Sequence, residues 1–265
     1  MTRAADEMLL SRLHLHAVLP ALESIVSLAP HAREWIAQAN FALGLRVASG
    51  PAAMVSASGG DLRVAADVPP RGGAVLHFLR PEHLNALFRQ QIAFPPLPVR
   101  GWWRLTRLRP FLKLTRELDA TLQPDADALG DEEMRRRHLL VSFQVALRAV
   151  PIVARGDALA MRALAHTPPG LLGIRVPELP FVAWLDWRHG ELRGGSGEPE
   201  RAPDALVTIR DQESAQLLLA GRIDPQVAVS TGRVRVDGLI PLADGLDVLL
   251  QRVDAYLGPA ARARS

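Results

Sequence analysis

The sequence contains no cysteine, which excludes disulfides, thiolate metal sites and a cysteine nucleophile. Only one of its 31 basic residues is a lysine, Lys113, so almost all of the positive charge is arginine, which does not titrate near neutral pH. The pI of about 10.3 reflects that composition rather than a charge excess, since the net charge is only +3. Acids are interleaved with the arginines along most of the chain, which argues against nucleic acid as a partner. No stretch of 18 uncharged apolar residues occurs, because Glu23, Arg33 and Arg148 interrupt the richest candidates; a transmembrane helix is not expected. The start of the chain sets Asp6 and Glu7 before Arg12 and two histidines, unlike a signal peptide. A cytoplasmic protein is expected.

Catalytic signatures are missing as well. No HExxH, GxSxG, P-loop or GxGxxG motif occurs, so no catalytic residue, metal ligand or cofactor is expected and the chain does not read as an enzyme. Gly194-Gly195-Ser196-Gly197 precedes Pro199 rather than a helix and reads as a flexible hairpin loop, not a phosphate cradle. His14 and His16 stand two apart and face different sides of a helix. His77 and His83 fall on a strand and the helix after it, as ordinary surface or boundary histidines.

What is present is an internal repeat. Gly44-Leu45-Arg46-Val47 returns as Gly173-Ile174-Arg175-Val176, an offset of 173 − 44 = 129. Gly60-Asp61-Leu62-Arg63 returns as Gly190-Glu191-Leu192-Arg193 at 130, Ala74-Val75-Leu76 as Ala205-Leu206-Val207 at 131, and Gly101/Gly232 and Pro110/Pro241 also sit at 131. Asp119-Ala120-Thr121-Leu122 matches Asp254-Ala255-Tyr256-Leu257 at 135. The offset rises in small steps, the last of them about one helical turn. Units of about 130 residues have the size of whole domains, so the chain reads as two tandem domains, 1–124 and 125–265.

Both units show the same order of patterns. Helical spacing over 7–28 and 31–40 is answered by 131–153 and 156–166. Strand patterning follows at 43–47, 53–58, 61–66 and 74–79, and at 171–176, 181–187, 191–194 and 205–209, with turns at Gly59-Gly60 and His189-Gly190. A helix then starts at Pro81 in the first unit and behind Asp211 as N-cap in the second. The alternation of Arg233-Val234-Arg235-Val236 marks a last strand with Val234 and Val236 inward. Transferred by 131, the first unit's last strand holds Trp103 and Leu105 inward, with Trp102 and Arg104 outward. A closing amphipathic helix ends each unit.

The segment 203–250 resembles the sterol carrier protein type-2 family. The matching positions are Asp211, Leu217, Leu218, Gly221, Asp224, Pro225, Gln226, Ala228, Gly232, Val234, Val236 and Gly238, with Arg222 in place of the usual lysine. The first unit inherits the likeness through the repeat and departs from it. Gln90 replaces Gly221, Ala93-Phe94-Pro95 the Asp-Pro-Gln turn, and Trp102-Trp103 stand for Arg233-Val234. The resemblance implies an α+β fold: two tandem domains, each an antiparallel sheet of about five strands covered by helices. It further implies non-catalytic binding of a hydrophobic ligand (fatty acyl, isoprenoid or sterol-like) in an apolar cavity. The lining expected is Leu218, Val227, Val234, Val236, Leu242 and Leu246, with Leu87, Trp103 and Leu105 in the first unit. The alternative is an accessory protein that uses the same fold for protein contacts. Trp102, Arg104 and Arg107 lie in the acid-free run Val99–Arg116 and are candidates for contact with an anionic membrane surface, an anionic lipid head or a protein partner.

Overall fold

The computed structural model describes residues 3–66, 73–91, 96–101, 106–125, 127–179 and 182–258. The chain divides into two compact units, Met1–Leu129 and Gly130–Ser265.

Unit 1 opens with α1 (Arg3–Leu13), one π-helical turn (His14–Val18), α2 (Ala21–Leu28) and α3 (Pro30–Ala37). In the π turn the Leu19 amide donates to the His14 carbonyl at 2.9 Å, the wider closure that inserts a residue into a helix. Four strands follow: β1 (Phe41–Val47), β2 (Ala52–Ser58), β3 (Asp61–Ala65) and β4 (Ala74–Phe78). After them come α4 (Pro81–Phe88), β5 (Leu97–Arg100) and α5 (Arg109–Leu122). The sheet order is β3-β2-β1-β4-β5. Phe41, Leu43, Leu45 and Val47 alternate inward with Ala53, Val55 and Ala57, and helix residues such as Leu22, Ile25 and Leu114 complete the buried core. Truncating one such leucine costs about 2–5 kcal/mol in proteins generally.

Unit 2 runs α6 (Glu132–Gly156), α7 (Ala158–His166), β6 (Gly170–Arg175), β7 (Val182–Arg188), β8 (Glu191–Ser196), β9 (Ala205–Ile209), α8 (Gln212–Leu219), α9 (Pro225–Ser230), β10 (Val234–Gly238) and α10 (Ile240–Leu257). Asp131 caps α6 by accepting from the Met134 amide, and Asp157 caps α7 from the amides of Leu159 and Ala160. The sheet order β8-β7-β6-β9-β10 repeats that of unit 1.

The antiparallel sheets expected are mixed. β1 pairs with β4, and β6 with β9, in parallel. An in/out alternation cannot reveal this, because a strand shows the same face pattern whichever way it runs. Gly195 lies inside β8 opposite Trp184, so the expected loop at 194–197 is strand as far as Ser196. An indole packs where a side chain on Gly195 would otherwise stand.

The register of the last strands differs from the transfer by 131. Val75 pairs with Arg100, and its counterpart Leu206 with Asp237, so Gly101 answers Gly238 at 238 − 101 = 137. Both have positive φ, +67° and +93°. A Cβ on them would stand 2.7 Å from the Gly73 carbonyl oxygen and 2.3 Å from that of Asp204. Gly232 has no such neighbour. The last described strand of unit 1 is therefore Leu97–Arg100, and Trp102, Trp103, Arg104 and Leu105 fall outside the described residues. The closing helices align at 135: buried Phe111, Leu114 and Leu118 correspond to Leu246, Leu249 and Val253. Pro110 and Pro241 both stand in the first turn of their helices, but α10 starts one turn earlier. The offset thus rises to 137 and falls back, because unit 2 spends six more residues between the glutamine/glycine pair at 90/221 and the glycines at 101/238. Six is the length of α9.

By length and composition Ala5–Leu28 and Glu132–Gly156 could each cross a bilayer, although the charge interruptions argued otherwise. Both bury much of that apolar surface inside their own unit, through Leu13, Leu19 and Leu22 in one and Leu139, Val141 and Val150 in the other.

Candidate functional site

The segment that carries the resemblance includes three short elements, α8, α9 and β10, of which β10 packs on α10. Asp211 caps α8, accepting from the Ser214 amide at 2.7 Å. The bond from Arg210, then those from Ser214, hold its carboxyl down at about 2. α8 ends at Gly221, whose φ of +62° lets the Arg222 amide turn back to the Leu217 carbonyl at 2.8 Å. Asp224 then caps α9 through the amides of Gln226 and Val227, with Pro225 in the first turn. The Arg233 amide donates to the Ala228 carbonyl, and the Arg210 amide to that of Arg233, at 2.9 Å each. These bonds join α9 to the β9–β10 ladder.

The apolar side chains of this region divide by depth. Leu242 and Leu246 are wholly buried, and Val234 nearly so. Leu218 and Val236 are half-buried, as are Leu217 and Leu219. Val227 is 48 % exposed, Val229 47 % and Ile240 55 %, with Leu239 exposed beside Ile240. α8 packs on α9, α9 on β10, and β10 on α10. Of the expected lining, then, three residues belong to the buried floor, two to its margin, and Val227 to the surface. Near them Asp247 of α10 has a raised pKa. Burial is the main cause, opposed by a bond from Gln251 and reinforced by the charges of Asp244 and Asp224.

In unit 1 Leu87 is a half-buried residue of α4. Arg107 is exposed, in a tight helical turn just before α5. It borders a cleft of about 320 Å³ with Asn40, Phe41, Ala42, Ser56, Ala57, Ser58 and Leu108, which the pattern of the sequence did not reveal.

Two polar clusters also escaped the sequence reading. In unit 1 buried Asn85 of α4 gives its Nδ2 protons to the Glu7 carbonyl at 2.9 Å and the Glu7 carboxylate at 2.7 Å. Its Oδ1 lies 2.9 Å from Nδ1 of buried His14 and accepts from Ser11 at 3.2 Å. His14 stacks on Phe88 at 4.5 Å. In unit 2 the buried Asp157 carboxylate accepts from Arg252 at 2.7 Å and from the Tyr256 hydroxyl at 2.9 Å. Burial acts to raise its pKa, but Arg252, the Ala160 amide and Tyr256 together hold it below the usual value. A polar residue on an apolar helix face, such as Asn85 between Leu84 and Leu87, was the one signal available.

Neither a family model nor a curated protein matches the sequence. Among solved structures, domain 2 of a sterol carrier protein from Helicoverpa armigera is similar at 19% identity and a TM-score of 0.34, over 42% of this chain and 87% of that one. A UbiJ-SCP2 ubiquinone synthesis protein is similar at 19% identity and 0.32, over 41% and 84%. Crystalline sterol carrier protein 2 is similar at 24% identity and 0.33, over 42% and 91%. Over about two fifths of its length, the chain resembles sterol carrier protein 2 domains.

Proposed function

We propose that unit 2 binds a hydrophobic ligand of the fatty acyl, isoprenoid or sterol-like kind without acting on it chemically, and that it does so in the cytoplasm. The observation that supports this is the unfinished apolar surface over β10. Val227 and Val229 of α9 and Leu239 and Ile240 at the start of α10 stay exposed, and both helices pack on β10. Scattered exposed apolar residues are ordinary, whereas a group of them marks a place where something else is bound. The half-buried leucines of α8, which packs on α9, stand at the margin of that group, and the family resemblance of the same segment supports the same reading. A ligand chain laid under α8 and α9 would remove these side chains from water.

Mass spectrometry of lipids co-purifying with the protein tests this directly, with a fluorescent fatty acid as probe. Leu218→Trp is expected to abolish probe binding while shifting stability by less than about 1 kcal/mol, since Leu218 sits at a margin rather than in the close-packed floor. A second reading, an accessory protein working through protein contacts, is favoured by the complete burial of Leu242 and Leu246, which suits a solid core. Lipid-free protein that never binds the probe would leave the exposed group to a protein partner.

A further inference from the structure

The closing helix of unit 1 carries a feature that ligand binding in unit 2 does not use. Arg109, Leu112, Lys113 and Arg116 follow the spacing i, i+3, i+4, i+7, which places them on one stripe of α5. All four are exposed, Leu112 to 53 %. The opposite stripe, Phe111, Leu114 and Leu118, is buried in unit 1. Arg107 is exposed just before the helix. Trp35 of α3 lies beside the stripe, half-exposed, with the Lys113 ammonium 5.4 Å from its ring centre. The two acids of α5 flank the stripe and are engaged elsewhere. Glu117 pairs with His31 at 3.1 Å, and Asp119 accepts from Gln90 and Gln123.

We propose that this face docks unit 1 on an anionic lipid surface. Four fixed cations with no ion pair among the described residues complement a layer of anionic headgroups. An exposed leucine amid them and an adjacent indole are the side chains that settle at the boundary between headgroups and acyl chains. A polynucleotide would use the cations but has no place for an exposed leucine between them. The corresponding stripe of α10, shifted by 135, holds Asp244, Asp247, Val248 and Gln251, so the surface belongs to unit 1 alone. The proposal stands whether or not unit 2 takes a ligand.

Co-sedimentation of the full chain with vesicles tests it, comparing phosphatidylcholine alone with phosphatidylcholine carrying a third phosphatidylglycerol. Binding is expected only to the anionic vesicles and is expected to weaken steeply with salt. The double variant Lys113→Gln/Arg116→Gln should bind them roughly thirtyfold more weakly, with an unchanged melting temperature because both side chains are exposed. Leu112→Gln should weaken binding without altering its salt dependence. Equal partition of wild type and double variant, or partition indifferent to lipid charge, would overturn the proposal. So would tight binding of a random-sequence oligonucleotide by a protein that ignores the vesicles.

Discussion

The two units share a strand order and differ most where each sheet ends. In unit 2, β10 packs against α9 and α10, and Val234 is buried. In unit 1, all four residues of β5 are exposed, including Leu97 and Val99, and Pro98 pairs Leu76 where Val236 pairs Val207. A proline is tolerated at an edge and cannot extend the ladder outward. Between the pairs 90/221 and 101/238 unit 2 has six more residues, the length of α9. Closing helices also diverge in charge: the stripe that holds Arg109, Lys113 and Arg116 on α5 holds two aspartates and no cation on α10. One sheet plan thus supports an apolar cover in one unit and a basic face in the other.

Glycine substitutions test that comparison most severely. Gly238→Ala combines a left-handed residue with a Cβ 2.3 Å from the Asp204 carbonyl oxygen, and a loss of about 3 kcal/mol or more is expected. Gly101→Ala should cost nearly as much. Gly232→Ala, equally left-handed but with open space around it, should cost only about 1–2 kcal/mol. Urea unfolding of the three variants decides the register. If Gly101 behaves like Gly232 instead, the correspondence at 137 fails.

Asp157 comes next, a device of unit 2 alone. Asp157→Ala removes a helix cap and leaves Arg252 and Tyr256 without their acceptor, for an expected loss of about 2–4 kcal/mol. Asp157→Asn, which keeps the cap, should lose less. Equal losses in calorimetry would show that the cap contributes little and that the bond from Arg252 carries the effect.

A smaller effect separates the ends of α4 and α8. Gln90 has a φ of +57° where Gly221 has +62°, and Gln90 offsets its strain with a bond to Asp119 at 2.7 Å. Gly221→Ala should destabilise by about 1 kcal/mol. Gln90→Gly should fall within about 0.5 kcal/mol of neutral, the relief of strain cancelling the lost bond and the added chain freedom.

The smallest expected effect is on pH. The Asp211 carboxyl, held at about 2, lies below the ordinary range near ~4. Its contribution is complete above that range and fades as pH falls toward 2. α4 begins at Arg80 and Pro81 with no side-chain cap, so it has nothing comparable to lose. Hydrogen exchange between pH 4 and 2 should therefore loosen the amides of Ser214 and Ala215 ahead of those of α4.

Much of the fold was legible because local physics wrote it. β2 alternates as one covered face requires, and the Gly59-Gly60 and His189-Gly190 turns carry the positive φ values of tight hairpins. Asp211 and Asp224 announce helix starts through short side chains that reach the second or third amide. The candidate site was legible in its elements and not in its depth. The family resemblance implied one lining for Val227 and Leu246, while the fold leaves the first half-exposed and buries the second.

By itself, the amino-acid sequence determined that there are two units of one plan, which residues begin and end their helices, and which strand faces are apolar. Those properties depend on neighbours within a few positions along the chain. Tertiary structure alone decided the parallel middle ladders, the shift of β5 by six residues (137 − 131 = 6), and the meeting of Asp157 with Arg252 and of Asn85 with His14. The ladders pair residues such as Leu43 with Ala74 and Leu172 with Ala205, the polar meetings join groups 71 and 95 residues apart, and the shift of β5 rests on a carbonyl oxygen that leaves no room for a Cβ; no local spacing records such contacts.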